Sequence, residues 1–335
     1  GLICSEDVLY FVIVVCLFLA LTIIRLNSVR QKIRFVITLG RNIGVIFLAC
    51  FLGYLSALPQ MKLYHDATST KMNTLTPNSQ DIVAKLDGGM TITTYINALD
   101  PGASWYAAPY FLKPDMERFE QYLRFKPDMK LKYVYYYDTI QSVSQDQRFP
   151  NMNTKQRARE IMRIHGLDSS MFLNPDQIRE QNMFVRLLER ENGEKTFLRV
   201  FDDMQHHPGE SEITAAFKRI AMELPSVGFL VGHGERDINR TGDREYRGFA
   251  LEKKFRYALI NQGFDVLNVS LADDVPSNIK IIVIAELKEP LTEIEEIHLE
   301  RYIARGGNLF ITCEPNRSEV MNVLLEKFGV QLSSG

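Results

Sequence analysis

The sequence predicts an α/β protein carried on two N-terminal transmembrane helices, and three observations predict it. Two uncharged apolar runs of near-bilayer length occupy the first 61 residues. Beyond them, β-rich runs alternate with amphipathic helical stretches. After residue 225 the strands become short and continuously apolar, the pattern of a parallel sheet buried on both faces.

The apolar runs cover residues 8–24 and 42–61. A single run of this kind also suits a buried helix of a soluble protein; two in succession, sharing a basic connector, read as a membrane pair. The connector holds Arg25, Arg30, Lys32, Arg34 and Arg41 with no Asp or Glu. Basic residues in short loops stay in the cytoplasm, so the N-terminus and everything after Met61 are expected outside. Glu6 and Asp7 precede the first run and no small-residue cleavage site follows it, which argues against a cleaved signal peptide. The chain starts at Gly1 and stops just after a predicted helix, so it reads as a piece of a longer polypeptide.

The first 61 residues hold five basic and two acidic side chains, leaving 34 basic against 39 acidic downstream. No stretch forms a basic nucleic-acid footprint. Of Cys4, Cys16, Cys50 and Cys313, only the last lies in the globular part, so neither a disulfide framework nor a zinc or CxxC spacing is available there.

Residues 62–76 are polar and read as a tether, followed by a helix over 77–86 that Gly88 and Gly89 stop. Strands are expected over 90–97 and 129–138. Helices are expected over 114–126, with Met116, Phe119 and Leu123 on one stripe, and over 154–164. Residues 184–189 and 195–201 form a hairpin about Asn192-Gly193. Ile213, Ala216, Phe217, Ile220 and Ala221 mark an amphipathic helix. This β-α-β-α-β-β-α order is thioredoxin-like, and the position of a redox CxxC is taken by an aromatic loop containing Trp105, Tyr106, Tyr110 and Phe111. That loop is either a partner surface or packs back on its own domain.

Past Pro225, strands are expected over 227–231, 265–270, 280–285 and 308–312. Between them run a helix over 248–261 stopped by Gly263, and one opened by a Thr292/Glu295 capping box and closed at Gly306-Gly307. A last helix carries Val320, Val323, Leu324 and Phe328. The expected strand order is 2-1-3-4, flavodoxin-like. The domains are therefore 1–61 (membrane helices), 62–89 (tether and short helix), 90–224 (thioredoxin-like) and 225–335 (flavodoxin-like).

Open parallel sheets bind ligands at the carboxyl ends of their strands. That edge carries Gly232-His233-Gly234-Glu235-Arg236, then Glu286 and Glu314. A histidine among carboxylates suits metal binding or acid/base work, while the two glycines suit a purely structural turn. His233, Glu235, Arg236, Glu286 and Glu314 are the candidate ligand-binding residues. No nucleophile elbow, dinucleotide fingerprint or P-loop is present, so no catalytic residue, metal ligand or cofactor is assigned. His206-His207 reads as solvated loop.

The string VGFLVGHGERD, followed by GFDVLNVSL and YIARGGNLFITCEP, resembles the GldG-like auxiliary proteins of ABC transporters, a family associated with gliding motility. The resemblance spans about residues 60–335, and the family's GHGE turn falls on Gly232, His233, Gly234 and Glu235. Residues 1–30 instead resemble the last membrane helix of an ABC-2-type permease, as in a permease–auxiliary fusion. The resemblance implies an ABC ATPase subunit and a permease as partners, an inner-membrane location with a periplasmic domain, and no catalytic site. The expected function is a non-catalytic, substrate-contacting accessory component of a bacterial ABC transporter. An extracytoplasmic hydrolase or carbohydrate-binding protein using the edge near His233 is the competing expectation, and a ligand-free scaffold a third.

Overall fold

The computed structural model describes residues 1–58, 61–97, 109–136, 151–164 and 184–333. The chain divides into two compact units, residues 1–84 with 113–129, and residues 85–112 with 130–335.

In the first unit, α1 (Ser5–Arg30) and α2 (Phe35–Ala57) are both long and apolar enough to cross a membrane. Neither follows its apolar run closely. Arg25 and Arg30 lie inside α1 and Arg41 inside α2, so the connector shrinks to residues 31–34. Helix boundaries follow backbone hydrogen bonding, which runs through residues with charged side chains as well as through apolar ones. A 3.1 Å bond from Thr38 Oγ1 to Ser28 Oγ joins the helices beside the turn. Thr38 and Ser56 are the only buried residues of α2, and α1 has none, so their apolar surfaces face outward.

The expected tether is a structured clasp. β1 (Leu2–Cys4) pairs antiparallel with β2 (Tyr64–Asp66), closing the ends of the two helices opposite their basic turn. Ser5 N donates to the Leu63 carbonyl at 2.8 Å, and Glu6 pairs with Lys62. The next turn folds around Asp66, whose carboxylate accepts bonds from Thr68 N, Thr68 Oγ1 and Asn73 N at 2.7–2.9 Å. Burial alone would raise the Asp66 pKa, but these donors outweigh it and hold the carboxyl far below the usual range. Polar composition had hidden this order, because Ser, Thr and Asn make side-chain-to-backbone turns as readily as loops.

α3 (Pro77–Ala84) follows. The helix expected over 114–126 is two short ones, α4 (Leu112–Glu117) and α5 (Glu120–Phe125). Tight i→i+3 bonds from Arg118 N and Phe119 N interrupt it at the buried Asp115. Arg124 of α5 stacks over the Tyr64 ring at 5.3 Å and donates to the Asn73 carbonyl at 2.9 Å, fastening the clasp.

The second unit holds two sheets. β3 (Met90–Asn97) runs parallel to β4 (Lys130–Tyr136) and antiparallel to β5 (Phe184–Arg190). β5 in turn pairs antiparallel with β6 (Lys195–Arg199), giving the order β4-β3-β5-β6. The hairpin turns at Asn192-Gly193 as expected, with Gly193 at φ 90°. α6 (Thr154–Ile164) and α7 (Glu210–Ala221) accompany this sheet in sequence. In the aromatic loop, Tyr110 is exposed with its ring 5.2 Å from Phe111; Trp105 and Tyr106 lie outside the described residues.

The second sheet is fully parallel. β7 (Ser226–Leu230), β8 (Asp265–Val269), β9 (Ile279–Ala285) and β10 (Asn308–Thr312) lie in the order β8-β7-β9-β10, the order expected. One face buries Leu230, Ile282 and Ile284 against Leu299 and Tyr302 of α9 (Glu293–Ala304) and Met321 and Leu324 of α10 (Ser318–Leu325). The other buries Val227, Phe229 and Val283 under Ile238 and Ala250. The helix expected over 248–261 is only α8 (Arg247–Leu251) and a 3-10 turn at Leu259–Asn261. Asn261 Nδ2 takes the carbonyls of Glu252, Lys253 and Phe255 at 2.9–3.3 Å, which bends the chain inward and delivers Arg256 to a buried ion pair. A side-chain amide that satisfies three carbonyls replaces the helix that hydrophobic spacing suggested.

Candidate functional site

Parallel strands end together, so β7, β9 and β10 bring their carboxyl-terminal residues to one edge. After β7 the chain turns at Gly232 (φ 128°) and Gly234 (φ 75°), conformations an L side chain rarely adopts. This turn presents His233, Glu235 and Arg236. Glu286 follows β9 at φ 60°, its N–H bonded to the Thr312 carbonyl at 2.9 Å. Glu314 follows β10. All five candidates therefore reach the same edge.

The structure sorts them into two clamps. In one, His233 Nδ1 lies 3.1 Å from Glu235 Oε1 and Nε2 lies 3.0 Å from Glu295 Oε2. The His233 N–H also donates to Glu235 Oε2 at 2.7 Å. In the other, Arg236 Nε donates to Glu286 Oε2 at 3.2 Å, and a second guanidinium nitrogen binds Glu314. Arg317 approaches the other Glu286 oxygen at 3.7 Å. Arg236 also stacks over Tyr246 at 5.6 Å, and the Tyr246 hydroxyl meets Thr312 Oγ1 at 2.9 Å.

Glu295 was legible in the sequence only as a helix cap, and it performs that role. Its Oε2 accepts from Thr292 N at 2.8 Å and Thr292 Oγ1 at 2.7 Å. The same oxygen also accepts from His233, so the capping box carries the clamp partner that sequence spacing did not reveal. The signal available was chemical: a His at one strand end and an acidic helix start at the next crossover share a sheet edge.

His233 is 7% exposed, so its protonation is set by these neighbours. Burial pushes its pKa down, but the hydrogen bonds to Glu295 and Glu235 and their charges outweigh this and raise it above the ordinary 6.5. Glu295 moves the other way: burial raises it, and donors Thr292 and His233 bring it below 4.5. Burial likewise lifts the Cys313 thiol pKa, with the Glu286 charge adding to it. An imidazole with both nitrogens facing carboxylates has no lone pair for a metal or a substrate proton. His206 and His207 lie in the connector before α7, where His206 Nδ1 meets the Phe201 carbonyl at 3.1 Å.

The part of the chain containing this edge is the part that resembles a described protein family. Residues 224–333 match the family described as ABC-type uncharacterized transport system, an auxiliary of ABC transporters. The match spans the second sheet with both clamps, about a third of the chain. No curated protein and no solved structure matches it.

Proposed function

We propose that the chain is a non-catalytic accessory component of a bacterial ABC transporter, anchored in the inner membrane with its α/β portion in the periplasm. The observation that carries this reading is the match of residues 224–333 to an ABC transport auxiliary family. Anchoring draws support from α1 and α2, whose apolar faces are left largely uncovered by the described residues. Orientation draws support from the five basic residues at one end of the pair and from the β1–β2 clasp, which holds Gly1 and the start of the globular part at the other. An ABC ATPase and a permease are the partners, and the GldG-like strings and permease-like first helix favour a fused arrangement. The pairing of β3–β6, one parallel and two antiparallel, supports a thioredoxin-like domain over 90–224; the order β8-β7-β9-β10 supports a flavodoxin-like one over 225–335.

At the strand-end edge the ion pairing favours a binding or structural role over hydrolysis, because His233 is already engaged on both sides. A ligand at His233, Glu235, Arg236, Glu286 and Glu314 would bind by exchanging one of these pairs.

Affinity purification of the protein from its native membranes in mild detergent, with mass spectrometry of the eluate, tests the reading. Recovery of an ABC ATPase in stoichiometric amount is the expected result. Recovery of soluble envelope proteins alone would overturn it.

A further inference from the structure

His233 occupies a position that only a doubly protonated ring satisfies. An ionised carboxylate accepts hydrogen bonds and cannot donate them. With Glu235 Oε1 3.1 Å from Nδ1 and Glu295 Oε2 3.0 Å from Nε2, loss of either proton turns a lone pair toward a carboxylate oxygen. Changing tautomer does not help, because each nitrogen faces its own carboxylate. The site is too closed for water to mediate freely, with the two glutamate side chains 2% and 14% exposed.

Other charged groups also surround the turn. Lys288, on the segment after β9, donates its backbone N–H to the His233 carbonyl at 2.9 Å and lays its side chain against Gly234. Arg236, three residues on, is held by Glu286 and Glu314, with Arg317 behind Glu286. From α9, Glu295 is fixed by Thr292. Loss of the Nε2 proton removes the bond to α9, and loss of the Nδ1 proton removes the positive charge that strengthens it.

We propose that His233 is a proton-controlled latch pinning the 232–236 turn to the N-terminus of α9, closed with both ring nitrogens protonated and released when one is lost. Gly232 and Gly234 supply the hinges, since both hold positive φ and glycine alone moves readily between that region and its neighbours. Arg236 stays clamped on release while the Lys288 bond to the His233 carbonyl is given up, so the turn swings about a fixed end and the sheet stays folded. Release opens the strand-end crevice between β7 and β9, where open parallel sheets take their ligands. The edge thus has two states, and the surrounding pH selects between them. The latch stands whether or not a transporter ATPase is recovered with the protein.

The test is nitrogen-15 NMR of histidine-labelled full chain in detergent from pH 5.5 to 9, beside hydrogen exchange corrected for intrinsic rates. The expected result is a His233 ring protonated on both nitrogens at neutral pH, titrating above 6.5. Peptides covering 229–237 and 286–297 should lose protection at least tenfold at that same midpoint. Glu295→Gln, which keeps the shape and an acceptor but removes the charge, should bring the midpoint down. His233→Gln should abolish the pH step and leave exchange uniformly fast. A single-tautomer neutral ring at pH 6, titration without loss of protection, or an unchanged step in His233→Gln would each overturn the latch. If His233→Gln fails to fold, the Glu295→Gln midpoint alone decides, because an unmoved midpoint contradicts the proposal.

Discussion

The guanidinium of Arg256 holds the Glu212 carboxylate at 2.7 Å with the two side chains only 6% and 4% exposed. Glu212 lies in the first turn of α7, beside the first sheet, whereas Arg256 comes from the loop after α8 in the second. Asp203 takes two further bonds at 2.7 and 3.0 Å, the His207 carbonyl another at 3.0 Å, and the guanidinium stacks over Phe201 at 4.6 Å. A buried arginine with each guanidinium nitrogen hydrogen-bonded couples the two sheets at this point.

Arg256→Met should therefore be among the most damaging single changes in the globular part. It removes the cation and leaves Glu212 buried beside Asp203, a situation that costs about 3–5 kcal/mol. Chemical denaturation of the detergent-solubilised protein checks this. A loss below about 1 kcal/mol would mean that solvent reaches the cluster.

Stability should fall at both ends of the pH scale for different reasons. The Asp203 pKa is lowered to about 2, first by the Arg256 hydrogen bond, and the Glu212 and Glu295 pKa values are also lowered. A depressed carboxyl stabilises the fold above its unfolded value, near 4, and loses that contribution as pH falls through the folded value. The raised pKa of His233 acts in the opposite sense. Its contribution is complete below about 6.5 and disappears as pH rises through the higher folded value. Melting temperature against pH should show an acid limb that Arg256→Met flattens and a separate alkaline limb that His233→Gln removes.

Gly307 should tolerate no side chain. A Cβ there would fall 2.3–2.6 Å from the ring of Tyr302, which is 1% exposed and donates its hydroxyl to the Asn308 carbonyl at 2.9 Å. Neither ring nor strand can yield cheaply, so Gly307→Ala should cost about 1–3 kcal/mol through overpacking. The neighbouring Gly306, at φ 89° with open space around it, should respond through backbone strain instead. A thermal melt of both variants separates them if Tyr302→Leu relieves the cost at 307 and not at 306.

What the sequence made legible was governed by local physics. The order of the parallel sheet followed from short apolar strands separated by crossovers, and the Thr292/Glu295 box opened α9 where its spacing said it would. Helix 248–261 failed because a single amide, Asn261, redirected three carbonyls, and no periodicity reports such a bond. The edge residues His233, Arg236, Glu286 and Glu314 were found by counting strand ends. Their pairing was not, because it depends on which carboxylate a side chain reaches across 50 to 78 residues of sequence. The clasp was missed for the same reason: Leu2 meets Asp66 through backbone pairing that composition does not encode.

The clasp also yields a single-substitution test of how the chain sits at the membrane. Cys4 stands opposite Tyr64, between the bonded positions Ser5/Leu63 and Gly1/Ala67. It is therefore in the non-hydrogen-bonded kind of antiparallel pair, where Cα atoms lie about 4.5 Å apart and a disulfide fits. Tyr64→Cys should cross-link to the native Cys4 on mild oxidation, and the bond should protect both thiols from maleimide until a reductant is added. Arg124 loses the Tyr64 ring but keeps its bond to the Asn73 carbonyl, so the fold around the clasp should persist. On intact cells, reduced Tyr64→Cys should react with a membrane-impermeant maleimide applied from outside, and a reporter active only outside the cytoplasm should work when fused after residue 75. Labelling only after the cells are opened would place the clasp inside and reverse the orientation read from Arg25, Arg30, Lys32, Arg34 and Arg41. Failure to cross-link, with both thiols reactive, would instead mean that the two strands do not pair.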